Sequence, residues 1–314
     1  MRLAAVIQFH TDPLLVRNRA RLVRALEPDV KVYGLYGGHE RVYGILGGPL
    51  RALLRPWVED VFCIGGRTAF WKRSHTDLAV RDWYRAVGHT FEFDAIAVLQ
   101  WDLLTLAPLS ELYASVSDGA VGVTALAPLG AVGERWPWLR YSGWRSQLES
   151  LQQQLDREYG FREEPHASLG PGSLLPRAFL EAYAAIDVPE LCHDEVRLPL
   201  YGRALGFDVV DNGLYGRWFD PEEERFFNAD KHPIARDVVR AELARSGGRR
   251  AFHPYVRPFP VAGTGADSGA RGAALDAIEG AGSAASRLGA LGRRSLGRAR
   301  RFVRPTQSLP WSSG

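Results

Sequence analysis

With 314 residues, 46% of them hydrophobic and 24% charged, the chain has ordinary globular composition and the length for one large domain with a sizeable core plus a tail. Its net charge of +3 is uneven: residues 261–314 hold eight arginines against Asp267, Asp276 and Glu279, a local +5 that leaves −2 on residues 1–260. Bulk charge therefore excludes a basic nucleic-acid binder, and Cys63 and Cys192, far apart and without CxxC spacing, read as buried reduced thiols rather than a zinc or redox pair. No apolar run reaches the roughly 18 residues of a membrane span, and the N-terminus enters a strand with no charged leader or cleavage site, so the expectation is a cytoplasmic, soluble domain.

In chain order, Leu3 to Phe9 reads as a buried strand. Pro13 opens a helix whose apolar positions, Leu15, Val16, Leu22, Val23 and Leu26, recur at helical spacing. Val30 to Tyr36 is the next strand, ended by Gly37-Gly38. This strand, helix, strand unit has the length of a right-handed parallel crossover and predicts a doubly wound α/β sheet. Tyr43 to Pro56, punctuated by glycine and proline, reads as a connecting segment. A short strand, Val61 to Ile64, precedes a helix from Thr76 to Val87 that ends at Gly88.

The strand Asp94 to Gln100 follows, running into Gln100-Trp-Asp102. A helix starts near Pro108, Gly119 to Leu126 is another apolar strand, and Gly130 to Trp144 is loop-like, with Trp136, Trp138, Tyr141 and Trp144 crowded together. Apolar sugar faces lie well on indole rings, so these residues are either a sugar-stacking wall or the anchors of a folded-over loop. Helices are predicted over Ser146 to Tyr159, Pro176 to Ala185, His193 to Leu205 and Ile234 to Ala244, with a strand at Gly206 to Asp211. Beyond Pro260 the chain turns to Gly, Ala, Ser and Arg, which marks a domain over 1–260 and a tail over 261–314. Leu275, Ile278, Ala281, Ala285, Leu288 and Leu291 keep helical spacing beside a run of arginines, so the tail is either an amphipathic helix on an anionic membrane or a solvated disordered segment.

The chemistry concentrates at two places. Asp102, at the C-terminal end of a central strand, is placed to bind a divalent cation that also holds a diphosphate, or else to cap the next turn. In the second half, Leu169-Gly-Pro-Gly-Ser-Leu-Leu-Pro-Arg177 leads to His193-Asp-Glu195 at a helix start. Side chains at successive helical positions diverge by ~100°, so one of Asp194 and Glu195 can face a cleft while the other caps or orients backbone.

This order resembles the nucleotide-sugar glycosyltransferases of the GT-A fold, particularly the family 2-like group, over roughly residues 3–255. The matching stretches are Leu3 to Phe9, Gln100-Trp-Asp102, Gly170 to Arg177, and His193-Asp-Glu195 through Gly206-Phe207. The resemblance implies a GT-A-like α/β fold, with a mainly parallel sheet flanked by helices, that transfers a sugar from a nucleotide-diphosphate donor to a hydroxyl of a carbohydrate or lipid-linked acceptor. It implies inversion, a cofactor of Mn2+ or Mg2+, and a place in polysaccharide or glycolipid synthesis at the inner membrane face.

It further implies that Asp102 holds metal and diphosphate, and that Glu195, with Asp194, supplies the base. A late histidine would join the metal site, His253 being preferred over His232. His10, Asp12, Asp77, Arg81 and Gln100 would contact the donor, with Asp12 otherwise a cap on the Pro13 helix and Arg81 otherwise in a helix-surface ion pair, and Trp136, Trp138, Gly170 and Gly172 would contact the acceptor. Two departures from the pattern stand out: Gln100 replaces the first acid of the DxD motif, and the acidic pair reads Asp-Glu instead of Glu-Asp. A nucleotidyltransferase is a competing expectation, though His10-Thr-Asp-Pro13 is not a glycine-rich basic phosphate loop. A non-catalytic carbohydrate-binding protein with a degenerate GT-A fold is the other.

Overall fold

The structure is a computed structural model that describes residues 1–133, 135–140, 142–229 and 232–261. Residues 262–314, and with them both readings of the tail, therefore lie outside the described residues. Among the described residues nine strands form two sheets: β1 (Leu3–Phe9), β2 (Lys31–Tyr36), β3 (Val61–Cys63), β4 (Ala95–Gln100), β5 (Leu104–Thr105), β6 (Val121–Pro128), β7 (His166–Pro176), β8 (Val209–Asp211) and β9 (Ala251–Phe252). The larger sheet has the order β3-β2-β1-β4-β7-β6-β8. Its pairs are parallel except where β7 runs against β4 and β6. The fold is α/β, a mainly parallel sheet flanked by helices.

Alternation along the central strands sends side chains to opposite faces and builds two cores. Ala4 and Val6 of β1 and Ile96 and Val98 of β4 join the cluster that includes Trp83, Phe179 and Tyr201. Ala5, Ile7 and Phe9, with Ala95, Ala97 and Leu99, face the helix Pro13–Leu26 and Tyr113 on the other side. Both faces being covered explains why β1 and β4 read as continuous apolar runs. A smaller cluster with Leu22, Leu104, Phe252 and Tyr255 seats the β5–β9 pair against the first helix.

Two segments differ from the sequence expectation: 43–56, and the stretch 130–144 expected to be loop-like, which holds the short helices Leu129–Val132 and Pro137–Arg140 and the start of the helix Ser142–Tyr159. Residues 43–56 are mostly helical, within the helix Glu40–Leu54, despite their glycines and prolines. Tertiary contacts override the poor propensity: Tyr43 stacks on Tyr36 with ring centres 5.3 Å apart, its hydroxyl donates to the Val61 carbonyl at 2.6 Å, and Gly47 and Leu54 are buried beneath. The Gly-Pro-Gly segment is the interior of β7. Its pairing with β6 shifts register between Gly122 and Thr124, and Pro171, which has no N–H to contribute, sits in that irregular stretch with its carbonyl accepting from Thr124 Oγ1 at 2.6 Å.

Among the described residues, no helix is long and apolar enough to cross a membrane.

Candidate active site

The parallel strands deliver their C-terminal ends to one edge, where open α/β sheets bind ligands. At the end of β4 the chain makes a tight turn, Leu103 N–H donating to the Gln100 carbonyl at 2.9 Å, which presents Trp101 and Asp102. The β5–β9 pair then returns a distant segment to the same place. Leu104 lies opposite Phe252, and Tyr255 N–H donates to the Asp102 carbonyl at 2.7 Å, so His253 is carried next to Asp102.

His253 Nε2 stands 3.6 Å from Asp102 Oδ1. On its other side, His253 Nδ1 lies 3.0 Å from the Asn228 carbonyl oxygen, an atom that only accepts, so Nδ1 carries a proton and it is Nε2 that faces the carboxylate. Asp102 Oδ1 is buried and receives no hydrogen bond, although 16% of the side chain remains exposed. Burial pushes the Asp102 pKa up, but the contact and charge of His253 outweigh it and hold the carboxyl below its ordinary range. A carboxylate oxygen and an imidazole nitrogen at this distance could share a metal cation in place of the proton that otherwise pairs them. Their separation lies within the span of two ~2.1 Å bonds to one divalent ion.

The fit is partial. Among the described residues no group of three or more His, Cys, Asp or Glu side chains gathers around a metal position. Further ligands would be substrate oxygens and water, the usual arrangement for magnesium-type ions. His232 is exposed and bonded through its backbone to Asn228, so it is His253 that the fold brings to Asp102.

The acidic pair opens the helix Asp194–Ala204, with His193 as its cap. Asp194 and Glu195 diverge as helical geometry requires. Asp194 Oδ2 accepts the Thr76 N–H at 2.8 Å, and Oδ1 lies 2.6 Å from His193 Nδ1, a distance that needs a proton on the imidazole. Burial opposes both charges, yet their pairing prevails: the Asp194 pKa is depressed and that of His193 is raised.

Glu195 points the other way. Its Oε1 accepts the Gly170 N–H at 3.1 Å and its Oε2 accepts the Trp138 indole N–H at 3.0 Å. Burial pushes its pKa above the ordinary carboxylate value, which His193 and the two donors counteract only in part. Gly170 also joins the two halves of the site, because a Cβ on it would lie 3.4 Å from Gln100 Nε2 and 3.6 Å from Glu195 Oε1. Beneath the pair, a cavity with about 20 Å³ open to water centres is lined by Thr76, Ser168, Gly170, Asp194 and Glu195, among others. That is room for a water and too small for a sugar.

Gln100, Gly170, Trp138, Asp194 and Glu195 thus gather, with Asp77 lining the cavity beside the acidic pair, and Asp102 meets His253 two residues beyond Gln100; the other expected residues take different roles. Asp77 is buried, its carboxylate bonded by Arg197 Nε at 2.8 Å and by the Tyr183 hydroxyl at 2.7 Å; it is an internal ion pair and not a donor contact. Arg81, on the same helix, is largely buried and meets Asp82 at 3.3 Å. Asp12 caps the first helix, accepting the Leu15 N–H at 3.1 Å from a left-handed backbone. His10 is exposed at the end of β1, edge-on to Trp101 at 5.6 Å, and is the one of these four at the ligand edge.

Trp136 is a core anchor packed on Trp218, whereas Trp138 stacks on His193 at 4.2 Å. The crowded tryptophans therefore divide between the two readings of that segment. Gly172 is enclosed: its φ is +90°, its carbonyl accepts from Tyr113 and Asn212, and a Cβ would meet Leu214 at 2.6 Å, so it shapes the bulge and not an acceptor surface.

Sequence reasoning missed His193, Arg197, Gln8 and Thr76. The His-Asp-Glu run carried a signal for His193, as an N-cap before two acids. Gln8 passes hydrogen bonds between the Lys72 carbonyl and the Thr76 hydroxyl, a contact across 64 residues that no local pattern announces.

No protein-family model matches the sequence, and no curated protein matches it. Among solved structures, similarity extends to the galactosyltransferase LgtC in complex with donor and acceptor sugar analogs, at TM-score 0.34 and 16% identity over 59% of this chain and 60% of that one. It extends also to an active-site mutant of LgtC, at 0.39 and 15% over 70% and 81%. A third is the mannosyltransferase PcManGT from Pyrobaculum calidifontis in complex with GDP-Man and Mn2+, at 0.38 and 9% over 67% and 54%. The chain spans 60% of the first of these proteins and 54% of the third.

Proposed function

We propose that this chain is a GT-A-like glycosyltransferase that moves a sugar from a nucleotide-diphosphate donor to an acceptor hydroxyl. The observation that carries the reading is Asp102, an ionised strand-end carboxylate whose buried Oδ1 faces His253 Nε2, two residues beyond a glutamine that abuts the Glu195 anchor. Asp102 and His253 would hold Mn2+ or Mg2+ with the donor's diphosphate. The chemistry supplied there is neutralisation of the leaving group's charge.

The remaining work falls to the chain. Glu195, with its pKa raised toward the working range, takes the proton of the acceptor hydroxyl. Gly170 and Trp138 fix its carboxylate, and each oxygen retains a lone pair for that proton. Asp194 stays ionised, binds His193 and the Thr76 backbone, and so sets the pitch of the helix start that aims Glu195. Trp138, beside the base, is the acceptor-side wall, and an acceptor oxygen that gives its proton to Glu195 and attacks opposite the departing diphosphate inverts the anomeric carbon.

Melting the protein with manganese and a panel of nucleotide sugars tests the donor half. Stabilisation is expected that needs both metal and nucleotide and is lost in Asp102→Ala. Stabilisation that persists in that variant or under chelation sinks the assignment. Donor hydrolysis tests the base: Glu195→Gln is expected to lose ~100-fold or more, and equal turnover removes Glu195. The anomeric configuration of the product, read by NMR, decides inversion.

A further inference from the structure

The helix Glu40–Leu54 carries two apolar stripes. Tyr43, Gly47, Leu50 and Leu54 face the sheet, while Val42, Ile45, Leu46 and Pro49, at i, i+3, i+4 and i+7, face outward. Val42 is 44% exposed, Ile45 78% and Leu46 52%; with Phe70 at 56% and the terminal Met1, these are the exposed large hydrophobics among the described residues. Apart from Met1 they fall within the single stretch 42–70, a concentration that marks an interaction surface more than scattered exposure would.

The same stretch is basic. Residues 39–75 carry Arg41, Arg51, Arg55, Arg67, Lys72 and Arg73 against Glu40, Glu59 and Asp60, a net +3 within a domain whose total over 1–260 is −2. Arg41, Arg55 and Arg73 are exposed and form no ion pair among the described residues, whereas Arg51 meets Asp60 and Arg67 meets Glu190.

We propose that this outward stripe, with Phe70 and the flanking arginines, seats the protein on an anionic lipid surface. An apolar helical face bordered by cations matches the boundary between acyl chains and acidic headgroups. A second copy of the chain fits less well, because a two-fold contact would set like charge against like. The face also borders the site. Phe70 lies 6.3 Å from Trp144, Trp144 lies 5.5 Å from Trp138, and Trp138 bonds Glu195, so a surface-bound molecule has its acidic pair beside substrates carried in that surface. Lipid binding itself does not depend on the sugar-transfer reading.

Flotation of the full chain with phosphatidylcholine vesicles, alone and with phosphatidylglycerol added, tests it. Binding is expected only with phosphatidylglycerol and to weaken with salt. Ile45→Gln/Leu46→Gln is expected to cut it on the order of tenfold with an unchanged melting temperature, and Arg41→Gln/Arg55→Gln to reduce the salt dependence. No flotation by the parent chain, or equal flotation by the Ile45/Leu46 variant, overturns the proposal. So does a parent chain that dimerises through this stripe, seen as a monomeric Ile45/Leu46 variant with unaltered vesicle binding.

Discussion

Removing the Asp77 carboxylate isolates the ion pair that ties the second helix layer to the acidic pair. The Arg197 side chain is fully buried. Its Nε and Nη2 donate to Asp77 at 2.8 and 2.5 Å, and its Nη1 donates to the Leu191 and Cys192 carbonyls, both at 2.8 Å. In Asp77→Ala the guanidinium loses the carboxylate it is bonded to while staying out of water, which costs about 3–5 kcal/mol. The Tyr183 hydroxyl, 2.7 Å from the same carboxylate, loses its acceptor at a further cost of about 1–3 kcal/mol. Both losses fall within one network and overlap, so about 4–6 kcal/mol is expected in all. At ~2–4 °C per kcal/mol for a domain of this size, that lowers Tm by roughly 10–20 °C. Thermal and urea unfolding of the full chain, followed by circular dichroism, reads this directly. The double variant Asp77→Ala/Arg197→Met, which removes the stranded charge, should be more stable than Asp77→Ala alone. A loss below about 1 kcal/mol in Asp77→Ala, or a double variant less stable than the single, refutes the reasoning. So does an Asp77→Asn protein of parental stability that has lost donor affinity, since Asp77 would then be a binding residue.

Acid stability should depend on Asp194. Its folded pKa is depressed from 3.8, so its contribution is complete above that value and is lost as pH falls below it; Asp194→Asn should flatten the loss of stability below about pH 4 in an acid titration. Glu195 has the opposite shift, and a base must be ionised, so turnover should fall as pH drops through its raised pKa. Trp138→Phe removes a donor that favours the ionised form and should move that acid limb to higher pH, whereas an unmoved limb separates Trp138 from the base. Gly172→Ala should cost about 1–3 kcal/mol through its positive φ, while Gly170→Ala, with neighbours at ordinary contact, should melt within about 1 kcal/mol of the parent chain.

The α/β class, the bounds of β1 and β2, the capped helix from Pro13 and the placing of Asp102 at a strand end were all legible in the residue order. Each rests on local physics: apolar runs that bury both faces of a strand, a proline at a helix start, a carboxylate where the apolar run stops. The divergence of the acidic pair was legible too, because adjacent helical residues must diverge. Where pattern reading failed, a long-range contact decided. Glycines and Pro49 argued against a helix that Tyr43 and Leu54 hold onto the sheet, and no strand was read over Gly170 to Leu175, where pairing with β4 and β6 holds one from both sides.

The candidate site divided along the same line. The residue types of a metal and base chemistry stand in the sequence; a late histidine was expected through a family resemblance, and His253 was preferred because it follows a short strand. The β5–β9 pair is what brings it across about 150 positions to Asp102, and the bond from Nδ1 to the Asn228 carbonyl is what leaves Nε2 facing inward. Asp77, by contrast, sits at a helix start like any exposed acid, and its role as an internal counter-ion came only from Arg197, 120 residues away. Sequence sets which groups a chain owns and which local structures they favour. The pairing of groups distant in sequence, and with it the charge each one carries, is a property of packing, since burial and a partner's field act only once the chain has closed around them.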